Sequence, residues 1–279
     1  MITRFESPRS VTEAASLLAA GDGWTVLAGG TDLYPAHVGR PIERPLLDLS
    51  RVAGLRGIGR SDHGWAIGAT TTWTDVVRAD LPPMFDALKA AAREIGGAQI
   101  QNVATVAGNV CNASPAADGM PALLALGAEV ELQSCAGARR VALEDFVLGN
   151  RRTARRNDEL VVALHVPALG PRARSAFIKL GGRRHLVISI TMVAALVDVD
   201  DAGHVSQARV AVGSCSAVAR RLASLEARLL GKPAHEIAGI VAADDLTPLA
   251  PIDDLRASAE YRRDATLTLL RRALAALAA

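Results

Sequence analysis

The stretch Gln99 to Asp118, QIQNVATVAGNVCNASPAAD, combines Asn, Ser, Thr, Gly and Ala with almost no charge or bulk. It is too polar for a core segment and too short of Lys, Glu and Pro for a disordered linker. Small residues let a main chain approach a ligand closely. The chemistry open to such a stretch is binding, with backbone N–H groups and short polar side chains cradling an extended cofactor or substrate. A second candidate is LAGGTD, where an apolar run ends in Gly29, Gly30, Thr31 and Asp32. Successive N–H groups there can form an anion-binding nest, with the Thr31 hydroxyl as a further donor. The same residues also fit a plain glycine turn capped by Asp32. The motif is neither GxGxxG nor a P-loop, and Gly57-Ile-Gly59 precedes a strand rather than a helix.

Stepping outward, the elements that must carry these loops can be read from capping and periodicity. Phe5 to Arg9 reads as a short strand and turn, and Ser10-Val-Thr-Glu13 as a capping box that opens a helix ending at Gly21. Thr25 to Gly30 reads as a strand, and Leu46 to Ser50 as another, giving a βα-type opening unit. A hairpin is expected over Val52 to Gly68, and a short helix capped by Thr72 or Thr74. A longer helix follows over Met84 to Ile95, stopped by Gly96-Gly97. Pro121 to Leu126 reads as a buried helix. Ala128 to Leu132, Arg140 to Leu143 and Glu159 to Val166 read as strands, the last with Leu160, Val162, Leu164 and Val166 on one side. Pro167 to Pro171 interrupts the periodicity. Beyond it lie strands over Ser175 to Leu180, Ile190 to Val199 and Ala208 to Gly213. Three helices end the chain, the last with Leu267, Leu270, Leu274 and Leu277 along one face.

Composition sets the bounds. A chain of 279 residues that is 50% hydrophobic can bury a sizeable core, and with 3% aromatics that core must be Ala, Val, Leu and Ile. A net charge of +2 points neither to nucleic acid nor to an acidic tail. Lys occurs only at 89, 179 and 232, so a Lys inside a polar motif needs its own explanation. Cys111, Cys135 and Cys215 are too dispersed for a disulfide framework or zinc knuckle, and no protein-ligated metal is expected. The N-terminus lacks a signal-peptide pattern, and no apolar run reaches the roughly 18 residues of a membrane span, so a cytoplasmic location is expected. No Ser-His-Asp order, paired carboxylates or reactive cysteine context appears, and no catalytic residue is assigned. The paired arginines at 139–140, 151–152, 155–156 and 183–184 suit either a docking surface for an acidic partner or pyridine nucleotide, or ordinary solvated charge.

Five motifs in order resemble the flavoprotein medium subunit of the xanthine dehydrogenase and carbon monoxide dehydrogenase family of molybdenum hydroxylases. They are Ala28 to Leu33, Ile100 to Asn109, Ala113 to Asp118 with Pro121 to Ala128, Phe177 to Ser189 (FIKLGGRRHLVIS) and Asp254 to Arg263 (DLRASAEYRR). The resemblance covers nearly the whole chain. It implies an α+β protein: a two-part FAD-binding unit of the vanillyl-alcohol-oxidase-like (PCMH) type, over 1–54 and 55–168. A C-terminal α+β domain over 172–279 then follows, with a small antiparallel sheet and helices.

The resemblance also implies the site. Two loops would wrap the FAD diphosphate: Ala28, Gly29, Gly30, Thr31, Asp32 and Leu33 from the first, Thr105, Gly108 and Asn109 from the second. Asp118 stands where the family places an acid on the adenosine ribose; it also fits an N-cap for the following helix. Ser114 fits a sugar or phosphate contact or a turn. Lys179 matches a strand lysine near the flavin, or a surface lysine, and Ile188 falls where a residue lies against the flavin. Gln101 stands in place of the family's usual Arg. Ala104 and Ala107 replace glycines, which would set the second loop slightly further from its ligand. Ile188 leans away from the carbon monoxide branch.

The implied role is electron transfer. A molybdopterin-binding large subunit oxidises the substrate, a 2Fe–2S small subunit relays electrons, and FAD passes them to NAD+, O2 or another acceptor. A stand-alone FAD-dependent oxidase and a binding module that has lost FAD are the alternatives.

Overall fold

The computed structural model describes residues 4–278. The N-terminal segment contributes strands β1 (Phe5–Glu6), β2 (Thr25–Leu27) and β3 (Leu46–Asp48), which pair in parallel in the order β1-β3-β2. The helix Val11–Ala19 between β1 and β2 begins at Ser10, whose hydroxyl accepts the Glu13 N–H. The expected capping box is shifted by one residue: the Glu13 carboxylate accepts from Arg9 N at 2.8 Å instead of from Ser10. Gly21, at φ +81°, takes the left-handed position just past the helix end.

The second segment forms an antiparallel sheet of β4 (Ile58–Ser61), β5 (Gly64–Gly68), β6 (Glu129–Ser134) and β7 (Gly137–Ala142), joined further on by a long strand. A two-stranded ribbon, β8 (Val147–Gly149) and β9 (Arg152–Thr153), stands beside it, and β10 (Leu160–Pro167) is that long strand. The sheet order is β4-β5-β10-β6-β7. In β10 the expected alternation fails, because a bulge shifts register between Val161 and Ala163. Leu160 therefore packs into the N-terminal core, while Val161, Leu164 and Val166 face the central one. Thr72 caps the helix Trp73–Arg78 with a full capping box to Asp75. The expected helix over Met84 to Ile95 is split: Pro83–Phe85 is a 3-10 turn and Asp86–Glu94 is α-helical.

Strands β11 (Arg174–Leu180), β12 (Thr191–Val199), β13 (Val205–Gly213) and β14 (Arg220–Arg221) form an antiparallel sheet in chain order. Strand β12 is apolar almost throughout because both its faces are covered. Ala194 and Leu196 pack into the central core, and Val193, Ala195 and Val197 into the C-terminal one. The helices Asp86–Glu94 and Gly119–Ala125 lie against this sheet from the central core. The helix Ala259–Leu277 lies against it from the C-terminal core. The buried face of that last helix is set by Ala265, Leu269, Leu270, Ala273, Leu274 and Leu277, with Leu267 only partly covered. Sharing one sheet between two cores fixes the loop after β11 against the end of the central helices, and the cleft described below forms there.

Candidate functional site

The first loop leaves β2 with its main chain pressed against the second. A Cβ on Gly29 would lie 2.0 Å from the Val103 carbonyl oxygen, so only glycine allows this approach. Gly30 is left-handed at φ +68°, and a Cβ there would lie 2.5 Å from the Tyr34 ring. Among the described residues, no protein acceptor takes the amides of residues 29–32. Asp32 precedes the short helix Leu33–Ala36, but its carboxylate does not cap it. It pairs instead with Arg151 Nη1 at 2.9 Å, while Arg151 N donates to Ala113 O at 3.1 Å. The β8–β9 ribbon thereby ties the first loop to the end of the second.

The second loop is anchored rather than open. Trp73 N donates to Ala104 O at 3.1 Å and Val106 N to Thr71 O at 2.9 Å. Thr105 caps the helix Val106–Asn112, its hydroxyl accepting Gly108 N at 3.0 Å. Ala104 and Ala107 are buried in the central core, so neither methyl pushes a ligand outward, contrary to the expectation from their replacing glycine. Gln101 Nε2 donates to Arg93 O at 3.1 Å and holds the loop to the end of the preceding helix. Asn109 Oδ1 is buried without a hydrogen-bond partner.

Asn109 helps to line a cleft of about 400 Å³ together with Glu94, Ser114, Asp118, Leu186 and Ile188. Ser114 Oγ accepts Ala116 N at 3.3 Å, forming a turn, and still faces the cleft. Ile188, 51% exposed, offers an apolar surface on the opposite lip. Asp118 makes no capping bond to the helix Gly119–Ala125. Its Oδ2 accepts from Lys179 Nζ at 2.7 Å and its Oδ1 from Ser189 Oγ at 2.7 Å. Burial raises the Asp118 carboxyl above the usual carboxylate range; the Lys179 charge and hydrogen bonds from Lys179 and Ser189 oppose this, and Glu94 adds to it.

The four non-glycine residues with positive φ among those described are Ala113, Arg151, Leu186 and Ser214. All four border this region: Leu186 lines the cleft, Ala113 and Arg151 are bonded to each other, and Ser214 N donates to Pro115 O. Strained backbone of this kind costs about 1–3 kcal/mol per residue and gathers where function over-determines geometry.

The C-terminal signature braces the same place from behind. Arg262, 3% exposed, donates to Ile190 O at 2.5 Å, Ser214 O at 3.1 Å and Asp254 Oδ1 at 2.7 Å. Asp254 is held down at about 2, first by the Arg256 N–H and then by the two arginine side chains.

Of the residues read from the sequence, Asn109, Ser114, Asp118 and Ile188 share the cleft. Lys179 reaches it through Asp118. Ala28 to Leu33, Thr105 and Gly108 are not in its lining; the first loop meets the second at Gly29 and pairs with Arg151 through Asp32, and Thr105 and Gly108 belong to the helix that carries Asn109. Ser189 and Arg262 stand inside the C-terminal motifs without having been singled out. Glu94 carried no signal, and Arg151 stood out only as one of a pair of arginines, since their partners are remote in sequence. At least one arginine of each pair is committed internally: Arg139 to Glu159, Arg140 to Glu131, Arg151 to Asp32, Arg155 to Glu159 O and Arg183 to Leu186 O. A larger hollow of about 520 Å³ lies on the five-stranded sheet beside His63, Trp65 and His165, and of the motif residues it takes in Gly127 alone. Among the described residues no His, Cys, Asp or Glu group suits a metal, and no helix is long and apolar enough to cross a membrane.

Unpaired consecutive amides, a glycine approach that tolerates no Cβ, and a buried, unpartnered amide oxygen on a residue of the cleft wall fit a flavin dinucleotide: an anionic diphosphate with hydroxyls and amides on either side. An α+β fold with this site defines a flavin-binding protein class. The chain belongs to the family described as the FAD binding domain in molybdopterin dehydrogenase, whose model matches residues 2–169. The CO dehydrogenase flavoprotein C-terminal domain matches residues 176–277. It is 34% identical over 276 residues to the 6-hydroxypseudooxynicotine dehydrogenase complex subunit alpha of Paenarthrobacter nicotinovorans, covering 95% of this chain and 91% of that one. It is 32% identical to a putative xanthine dehydrogenase FAD-binding subunit of Escherichia coli (strain K12), covering 95% and 92%. The fold matches a solved carbon monoxide dehydrogenase of Hydrogenophaga pseudoflava with a TM-score of 0.86 at 28% identity, over 98% of this chain and 96% of that one. This bears out the reading of an α+β flavoprotein of the molybdenum hydroxylase family.

Proposed function

We propose that the chain is the FAD-holding electron-transfer subunit of a molybdenum hydroxylase complex, working beside a molybdopterin-binding large subunit and a 2Fe–2S small subunit in the cytoplasm. The observation that carries the reading is the apposition of the two loops at Gly29 and Val103, with the amides of residues 29–32 left without a protein acceptor beside it. When bound, FAD supplies the redox chemistry, taking electrons from the 2Fe–2S clusters and delivering them to NAD+, O2 or another acceptor.

The chain's own residues bind and orient. Ala28, Gly29, Gly30, Thr31, Asp32 and Leu33 would present N–H groups and a hydroxyl to the diphosphate. Thr105, Gly108 and Asn109 would support it from the facing helix, with Ser114 and Asp118 toward the sugar hydroxyls. Ile188 would lie against the flavin ring, and Lys179 would stand behind Asp118. The division into 1–54, 55–168 and 172–279 belongs to the same proposal and is supported by the three larger sheets, each formed within one segment.

An absorption spectrum of the purified full chain, before and after adding FAD, tests the cofactor. Lack of oxidised-flavin bands in both would sink the reading. Co-purification with chains carrying molybdenum and 2Fe–2S clusters tests the assembly, and a chain that purifies alone while oxidising substrate would replace it with a self-contained oxidase.

A further inference from the structure

Asp118, Lys179 and Ser189 come from three separated segments and meet in a buried cluster behind the cleft wall. The Lys179 side chain is 6% exposed and that of Asp118 10%. Each Asp118 oxygen accepts one protein hydrogen bond, and a carboxylate offers about four acceptor sites, so capacity remains on the side facing the cleft. We propose that Lys179 is a positioning residue that compensates charge: it cancels the Asp118 charge in a cleft wall that also carries Glu94, beside an anionic diphosphate. In the same way it aims the carboxylate at ligand hydroxyls. The inference rests on the cleft being the FAD site.

The physical case has three parts. A buried carboxylate with no partner is costly in its charged form, and beside a diphosphate it adds direct repulsion. A compact ammonium can neutralise it through one oxygen, whereas an arginine fork favours both; the second oxygen is thereby left to Ser189. A lysine is used at this point in a chain that has lysine at only three positions and otherwise relies on arginine. The charged groups acting on Asp118 are Lys179 from β11 and, from the helix Asp86–Glu94, Glu94, which opposes ionisation.

The test compares the full-length wild type, Lys179→Met and Lys179→Met/Asp118→Asn. FAD titration and thermal unfolding of the FAD-free chains are followed from about pH 5.5 to about pH 9. At the alkaline end Lys179→Met is expected to bind FAD about 30-fold more weakly or worse than wild type. It recovers as pH falls and Asp118 becomes neutral. The sign for unfolding is fixed: a carboxyl whose folded pKa is raised stabilises below it and destabilises as pH rises through it. The melting temperature of FAD-free Lys179→Met therefore falls with rising pH more steeply than that of the double variant, in which both pH dependences flatten. Parallel profiles for the single and double variants would overturn the inference. A wild type that takes up no FAD would instead overturn the functional reading, while the unfolding slopes still judge the pair. Where methionine is not tolerated, Lys179→Gln is expected to show the same slope, and a flat slope there also overturns it.

Discussion

The two loops that meet at Gly29 and Val103 are built on opposite terms. The first is carried by a three-stranded parallel sheet with a small core, and its amides at 29–32 are unspent. The second is sunk in the central core, and its Thr105 hydroxyl and Gly108 amide satisfy each other. A loop that keeps its donors free depends on its neighbour for shape. The second loop supplies that shape with its main chain, so the free backbone donors sit on one side and rigidity on the other. This asymmetry makes distinct expectations for changes on the two sides.

The largest effect is expected where the loops touch. Gly29→Ala would drive a methyl into the Val103 carbonyl, which is main chain and cannot rotate away. A loss of about 3 kcal/mol or more in urea unfolding is expected, together with loss of FAD from the purified chain. Wild-type stability and flavin content in this variant would show that the loops can separate without consequence. Gly30→Ala is milder. Its left-handed backbone costs about 1–2 kcal/mol on substitution, but the two nearest atoms a methyl meets belong to the Tyr34 side chain, with Leu27 Cδ1 further off at 3.3 Å. Adding Tyr34→Ala should restore the steric part and leave the backbone part, a separation that a double-mutant cycle on FAD affinity would measure.

These expectations also mark how far the sequence alone could be read. LAGGTD and NVATVAGN stood out as clusters of small polar residues, but LAGGTD alone also fits a glycine turn, and the resemblance across five motifs is what joined the two as a pair. Thr72, Gly21 and Gly96 were legible because caps are local: each obeys a rule spanning four or five residues. The pairings of Asp32 and Asp118 were not: Arg151 and Lys179 each stand out in the sequence, but they lie 119 and 61 residues away and nothing local joins them to these carboxylates. The bulge at Val161–Ala163 was hidden for a related reason, since it redirects one strand between two cores that only the folded chain defines. Arg262 stood inside a recognisable motif, yet its role in holding Ile190 and Ser214 is visible only when β12 and β13 are in place.

On the rigid side the expected effects are smaller. Thr105→Ala removes a helix cap and should cost about 1 kcal/mol, lowering the melting temperature by about 2–4 °C. Thr105→Ser should recover most of it, because the hydroxyl rather than the methyl accepts Gly108 N. If serine fails where threonine succeeds, the methyl packing of this buried residue outweighs its cap, and the second loop is held by its core rather than by its hydrogen bonds.

The smallest change sharpens the comparison most, because it separates stability from binding. Arg151 links the loops but holds φ +55°, a conformation that costs a side-chain-bearing residue about 1–2 kcal/mol. Arg151→Gly relieves that strain, adds unfolded-state entropy of about 0.5–1 kcal/mol, and removes an ion pair whose partners are 61% and 48% exposed. Such a pair contributes about 0–1 kcal/mol, so the three terms nearly cancel and the melting temperature should stay within about 2 °C of wild type. Asp32 would then stand in the proposed diphosphate loop with its charge unanswered. FAD affinity is expected to fall up to about fivefold at low ionic strength and to approach wild type at high salt, as an exposed charge effect must. A salt-independent loss would instead mean that Arg151 shapes the first loop sterically, and that the free amides at 29–32 owe their arrangement to the ribbon and not to the contact at Gly29.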